Sequence, residues 1–201
     1  LPSGPGTSAA RIGALLASAA HERLRAYTHV PHQKVGPSIL PEFHMPFALE
    51  LSPHLDAARR NLRAWCDRMG ILQEGVWDED KLRAYDLALC SAGLDPDATP
   101  EALDLSAQWL AFGTYGDDYY PLVYGHRRDL AAARLTTARL SACMPVDGEP
   151  PLVPKNAMER SLSDLWARTA APMSTGQRRT LKAAVDTMTE SWVWELSNQL
   201  Q

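Results

Sequence analysis

From Ile39 onward, apolar residues recur every three or four positions, the spacing of one face of an α-helix. In Pro53–Gly70 the stripe is Leu55, Leu62, Trp65 and Met69, with Ser52-Pro53 supplying a cap and a proline suited to the first turn. Leu82, Tyr85, Leu89 and Ala92 form a second stripe. Thr99-Pro100-Glu101 opens a third helix running to Tyr120, and Asp129 to Cys143 reads as a fourth. Asn156 and Glu159 are spaced as a capping box for a fifth, with Leu162, Leu165 and Trp166 on its buried side. Ser174 and Gln177 repeat that spacing ahead of a sixth stripe, Leu181, Val185, Met188, Trp192 and Leu196. No segment alternates with period two, and proline and glycine fall between the stripes, as in Gly148 to Pro154. The prediction is an all-α protein of about six main helices.

Residues 1–38 break this pattern. A Gly/Pro/Ser stretch, an Ala-rich segment from Ala9 to Tyr27 and a turn-rich passage around Pro31 and Pro37 precede the first clear stripe. The chain of 201 residues carries a net charge of −4, to which residues 1–38 contribute +3 and the remainder −7. A joint change of charge and composition marks a linker or arm at 1–38 beside a folded domain at 39–201. The acidic balance excludes nucleic-acid binding through bulk positive charge. No apolar run is long enough for a membrane span. Cys66, Cys90 and Cys143 are widely spaced and odd in number, which excludes a disulfide scaffold and predicts small core hydrophobes in a reducing, cytoplasmic setting.

Candidate chemistry concentrates at the end of the third helix, in Asp117-Asp118-Tyr119-Tyr120-Pro121. At about 100° per residue, Asp117 shares a face with Gly113, Leu110 and Ser106, with Trp109 at its edge. A carboxylate over small and apolar residues needs a partner, and its place near a helix C-terminus argues against a capping role. A hard cation such as Mg²⁺, which one or two carboxylates plus waters hold, would supply that partner. Aspartate pairs also sit at solvated helix ends, so spacing leaves both readings open. Ring faces stabilise cations by about 0.5–2 kcal/mol each, which makes Trp109 a candidate cavity wall, although core packing explains it equally well. Phe112 points away from that face. Trp192 and Trp194 lie on different faces of the last helix, so only one can line a pocket. Tyr119 and Tyr120 are candidate proton donors between which spacing does not choose.

Several separated segments resemble the bacterial class I terpene synthases. They are Leu40 to Pro46 (LPEFHMP), Asn61 to Gly70 (NLRAWCDRMG), Asp117 to Pro121 (DDYYP), Met158 to Arg168 (MERSLSDLWAR) and Trp192 to Leu196 (WVWEL). They are most similar to the geosmin-forming branch, whose members carry two terpene synthase domains. The resemblance implies that 39–201 is the N-terminal part of the family's helical fold, lacking its later helices, and that 1–38 links it to an N-terminal terpene synthase domain. It implies Mg²⁺ as cofactor, Asp117 as the main metal ligand and Asp118 as its support. Ser106, Trp109, Leu110 and Gly113 would line the cavity for a small hydrophobic terpenoid. The implied reaction is conversion of germacradienol to geosmin by protonation and retro-Prins fragmentation with loss of acetone; cyclisation of farnesyl diphosphate is the alternative. A third reading is a non-catalytic helical module that serves assembly.

Two departures from the family pattern qualify that expectation. The usual third acidic position of the aspartate motif is Pro121, one turn from Asp117. The family's second metal motif, Asn/Asp-Asp-x-x-Ser-x-x-x-Glu, and its arginine diphosphate sensor have no counterpart after Asp118. The last stripe also runs to Leu200 without a stop signal, which suggests a boundary within a larger domain. A one-sided cavity would leave a cationic intermediate open to water, so this chain on its own is expected to be inactive.

Overall fold

The computed structural model describes residues 39, 41–44, 46–150 and 152–200. The chain divides into two units, Leu1–Pro46 and Phe47–Gln201, and the account below concerns the second. The proposed linker at 1–38 lies outside the described residues.

The described residues form seven α-helices and one π-turn, with no strand among them. α1 spans Leu55–Met69. The second expected helix is divided into α2 (Glu79–Tyr85) and α3 (Leu87–Leu94). α4 runs from Pro100 to Tyr120 and passes into a π-turn, Pro121–Gly125. α5 (Leu130–Ala142), α6 (Ala157–Ala170) and α7 (Thr175–Gln199) complete the unit.

Sequence chemistry accounts for most of these boundaries. Thr99, Asp129 and Asn156 each accept a backbone N–H of the first turn of α4, α5 and α6, satisfying donors that a helix start leaves free. Ser174 and Gln177 form a complete capping box on α7. The box expected at Asn156 is only half formed, because the Glu159 carboxylate accepts from the Lys155 N–H at 2.8 Å. Proline in the first turn suits Pro100, and Gly70 ends α1 at φ 83°, where a side chain would be strained. Pro121 has no N–H to continue the ladder of α4, which accompanies the change to π geometry at that residue.

Division of the second helix is the main departure from the pattern. Asp86 takes a left-handed conformation, φ 43° and ψ 51°, which aspartate tolerates better than most residues. Its carboxylate is gripped from α1 by Arg59, with Nε at 3.0 Å and Nη2 at 2.6 Å, a forked geometry available only to arginine. Tyr85 and Leu89 consequently fall off the common stripe and are 38% exposed each. Continuous periodicity could not reveal this break, because its cause lies 27 residues away.

α4 is the central element, packed against α1, α3, α6 and α7. Leu103, Ala107, Ala111, Phe112, Tyr115, Tyr119 and Tyr120 of this helix are buried. The less covered side of α4 is the stripe of half-buried Ser106, Leu110 and Gly113 that ends at exposed Asp117. Helices α5 and α7 pack on each other, with Val185, Trp192 and Leu196 of α7 in the core. Trp65 ties α1 to α6 through a 2.7 Å bond from its Nε1 to Asp164.

The cysteine expectation needs one correction. All three thiols are free, but only Cys66 and Cys143 are buried; Cys90 is exposed on α3. Burial pushes the Cys66 thiol up to about 12 and raises Cys143 as well. Titration of native protein with a disulfide reagent is therefore expected to modify Cys90 promptly, and Cys66 and Cys143 only after unfolding. Prompt modification of Cys66 would contradict this packing.

Candidate metal-binding site

The aspartate pair sits on the last turn of α4, and its two carboxylates face different neighbours. Asp118 turns toward the α1–α2 connection and α2. Its Oδ2 accepts from Trp77 Nε1 at 2.7 Å and Tyr85 hydroxyl at 2.9 Å, and pairs with Lys81 Nζ at 3.0 Å. Burial alone would raise this carboxyl, but donation by Trp77, Lys81 and Tyr85 outweighs it and holds Asp118 below the ordinary aspartate value. The Asp118 charge is thus already matched by a lysine.

Asp117 turns toward α7. Its Oδ1 accepts from Trp192 Nε1 at 2.6 Å, and no cation is paired with it among the described residues. Its pKa is raised, first by burial of the side covered by α7 and then by the charges of Glu195 and Asp118, with the Trp192 N–H acting the other way. The residue as a whole is exposed, so a covered edge and an open edge coexist on one carboxylate. A shallow crevice with no enclosed room for a water molecule lies beside it, lined by Asp117, Tyr120, Pro121, Trp192, Glu195 and Leu196.

The structure separates the other candidate residues from this crevice. Ser106 lies near the start of α4 and donates to Asp95 at 3.3 Å. Trp109 donates from Nε1 to Thr169 at 2.9 Å and meets the edge of Phe112, with centroids 6.0 Å apart, so its indole is committed to the α4–α6 contact. Leu110 is half-buried on the intervening turn. A side chain at Gly113 would meet open space, so this glycine leaves the α4 surface low. Phe112 is fully buried, in keeping with its predicted direction, and Trp192 is buried while Trp194 is 70% exposed. Tyr119 and Tyr120 both point into the core. The Tyr120 hydroxyl is bonded to Thr137 at 2.6 Å, and burial raises both phenols well above their ordinary value.

Five residues at or around the aspartates escaped the sequence reading. Trp77, Lys81 and Tyr85 approach Asp118 from 33 to 41 positions upstream, so no local motif joins them. Glu195 and Gly116 become relevant only once α7 is laid against α4. Gly116 precedes Asp117 directly, and its significance lies in what crosses it, the Trp192 ring.

The residues present fit a hard divalent cation in a limited way. Among the described residues no three His, Cys, Asp or Glu side chains converge on one point. Mg²⁺ does not require three; it is bound by one or two carboxylates with waters and substrate oxygens filling the shell. The open edge of Asp117 supplies one such carboxylate, with Glu195 as its acidic neighbour, whereas Asp118 Oδ2 is engaged by three donors.

Comparison with known proteins bears on the same segment. Residues 108–201 match the model of terpene synthase family 2, C-terminal metal binding. The chain is 31% identical over 140 residues to a (2Z,6E)-hedycaryol synthase of Kitasatospora setae, a match covering 65% of this chain and 37% of that protein. It is 30% identical over 125 residues to a (+)-T-muurolol synthase, (2E,6E)-farnesyl diphosphate cyclizing, of Roseiflexus castenholzii, covering 62% of this chain and 37% of the relative. A (-)-beta-caryophyllene synthase of Saccharothrix espanaensis is 28% identical over 139 residues, with 68% and 37% covered. The chain therefore spans little more than a third of the length of these relatives.

Proposed function

Because this chain belongs to the bacterial class I terpene synthase family, we propose that it supplies the aspartate-bearing part of a metal-dependent terpenoid-transforming enzyme. The observation that carries this reading is the unequal state of the aspartate pair. Asp118 is neutralised by Lys81 and two further donors, while Asp117 has an open edge and no cation paired with it among the described residues. In this reading Asp117 would hold Mg²⁺, which as a Lewis acid would polarise an oxygen of the substrate or of a bound water. The chain's own residues do the rest. Trp192 orients Asp117, and Asp118 fastens the end of α4 to α2. Leu110 and Gly113 of the half-buried stripe would present a low, apolar wall to the hydrocarbon part of the substrate, with Ser106 and Trp109 held beside it by Asp95 and Thr169.

For the substrate, the reading we favour is germacradienol, converted to geosmin and acetone with uptake of one water. Pro121 supports it, since a motif short of its third carboxylate is suited to a substrate that carries no diphosphate. The activities for which the T-muurolol and caryophyllene synthases are named favour a second reading, cyclisation of farnesyl diphosphate. The complete polypeptide carrying this sequence separates the two when each substrate is supplied with Mg²⁺ and the products are resolved by mass spectrometry. Geosmin with stoichiometric acetone from germacradienol is the expected result. A cyclic sesquiterpene from farnesyl diphosphate, with germacradienol untouched, would replace the first reading by the second.

A further inference from the structure

Trp192 occupies an unusual seat for a side chain that bonds an exposed carboxylate. It is 4% exposed, with its ring 5.8 Å from Phe112 and 5.3 Å from Tyr120, centroid to centroid. Its indole crosses α4 directly over Gly116. A Cβ added there would stand 2.2 Å from Cζ2, 2.3 Å from Cη2 and 2.6 Å from Cε2, distances no packed pair of carbons tolerates. Only glycine at 116 therefore lets the indole lie this close, and only from this seat does Nε1 reach Asp117 Oδ1 at 2.6 Å. The indole is fixed by two rings and a bare stretch of helix, and the N–H is the single polar group it offers.

A charge-assisted bond of this length fixes the plane of the carboxylate as well as its position. It uses Oδ1 on the α7 side, which leaves the open edge of Asp117 as the coordinating edge. We propose that Trp192 is the positioning residue of the Asp117 carboxylate, and that Gly116 is the feature of α4 that admits it. This rests on the reading of Asp117 as a metal ligand and adds what holds the ligand in register. Groups that hold metal ligands in place typically change metal affinity 10- to 100-fold when removed.

The test uses Mn²⁺ as the ion, with free Mn²⁺ followed by electron paramagnetic resonance as the chain is titrated. Trp192→Phe preserves an aromatic ring between Phe112 and Tyr120 but removes the N–H, and circular dichroism checks that the variant is folded. It is expected to weaken Mn²⁺ binding about 10- to 100-fold. Gly116→Ala, which displaces the ring, is expected to weaken it at least as much. Asp117→Asn separates the two layers of the claim. Wild-type protein that fails to bind Mn²⁺, or binds it as well after Asp117→Asn, would overturn the metal reading itself. Binding that is lost in Asp117→Asn but unchanged in Trp192→Phe would overturn the positioning role and leave the metal reading standing.

Discussion

Replacing Trp77 with alanine is expected to cost about 3–5 kcal/mol of stability, the range for removing a large aromatic from a packed core. Trp77 is 2% exposed, meets the Tyr115 edge at 5.3 Å and lies against Tyr85 at the same separation. It also donates to Asp118, so the substitution opens a cavity and takes a donor from a carboxylate in one step. Trp77→Phe keeps most of the packing and removes only the N–H. Asp118 would retain Lys81 and Tyr85 and part of its contact with water, so a loss of only about 1–2 kcal/mol is expected. Chemical denaturation of the two variants reads the difference directly. Equal losses would mean that the bond to Asp118 carries the effect and the packing of the ring does not.

The second large effect concerns Glu159, which is 1% exposed on the first turn of α6. Arg139 grips it with Nε at 2.6 Å and Nη2 at 2.7 Å, and the Lys155 N–H adds a third donor. Burial raises this carboxyl, but the Arg139 and Lys155 bonds more than offset that and hold it below the ordinary glutamate value of about 4.5. Glu159→Ala is expected to cost about 2–3 kcal/mol, less than the roughly 3–5 kcal/mol for breaking a fully buried pair, because part of Arg139 reaches water. The pH dependence follows from the sign of the shift. A carboxyl depressed on folding contributes fully above about 4.5 and loses that contribution as pH falls through its lower folded value. Melting curves from pH 7 to pH 3 should therefore show a steeper loss for wild type than for Glu159→Gln. Parallel curves would contradict the assigned shift.

The helices were legible in the sequence wherever their cause is local. Caps at Thr99, Asp129, Asn156 and Ser174 lie within three residues of the groups they satisfy, and the residues that periodicity marks on α1, α6 and α7 are buried or, at Leu55, Met69, Leu181 and Met188, half-buried against the core. Tertiary causes were not legible. Arg59 from α1 divides the second helix at Asp86, and Glu159 leaves its capping partner for a neighbouring backbone N–H. The same distinction governs the candidate site. Helical geometry put Asp117 on one stripe with Ser106, Leu110 and Gly113, whereas Asp118 entered only through the family resemblance, as the support of Asp117. Its three donors, all on another part of the chain, turn it into an anchor for α2. Gly113 drew notice for its place on the face, whereas the α4 glycine with a close neighbour is Gly116, under an indole from α7.

At one end of α4, Asp118 fastens the helix to α2 while Asp117 faces outward, where we propose that it takes a cation. The described helices include none long and apolar enough to cross a membrane, so the apolar stripe of α4 is free of that explanation. The most direct test is the Mg²⁺-dependent rate of terpenoid product formation by the complete polypeptide before and after Asp117→Asn. That substitution keeps the side chain's shape and its bond to Trp192 while removing the charge. We expect product formation to require Mg²⁺ and to fall at least about 100-fold in the variant, the equivalent of several kcal/mol of charge stabilisation. Undiminished product formation in Asp117→Asn, or in wild type stripped of divalent cations by a chelator, would contradict the account.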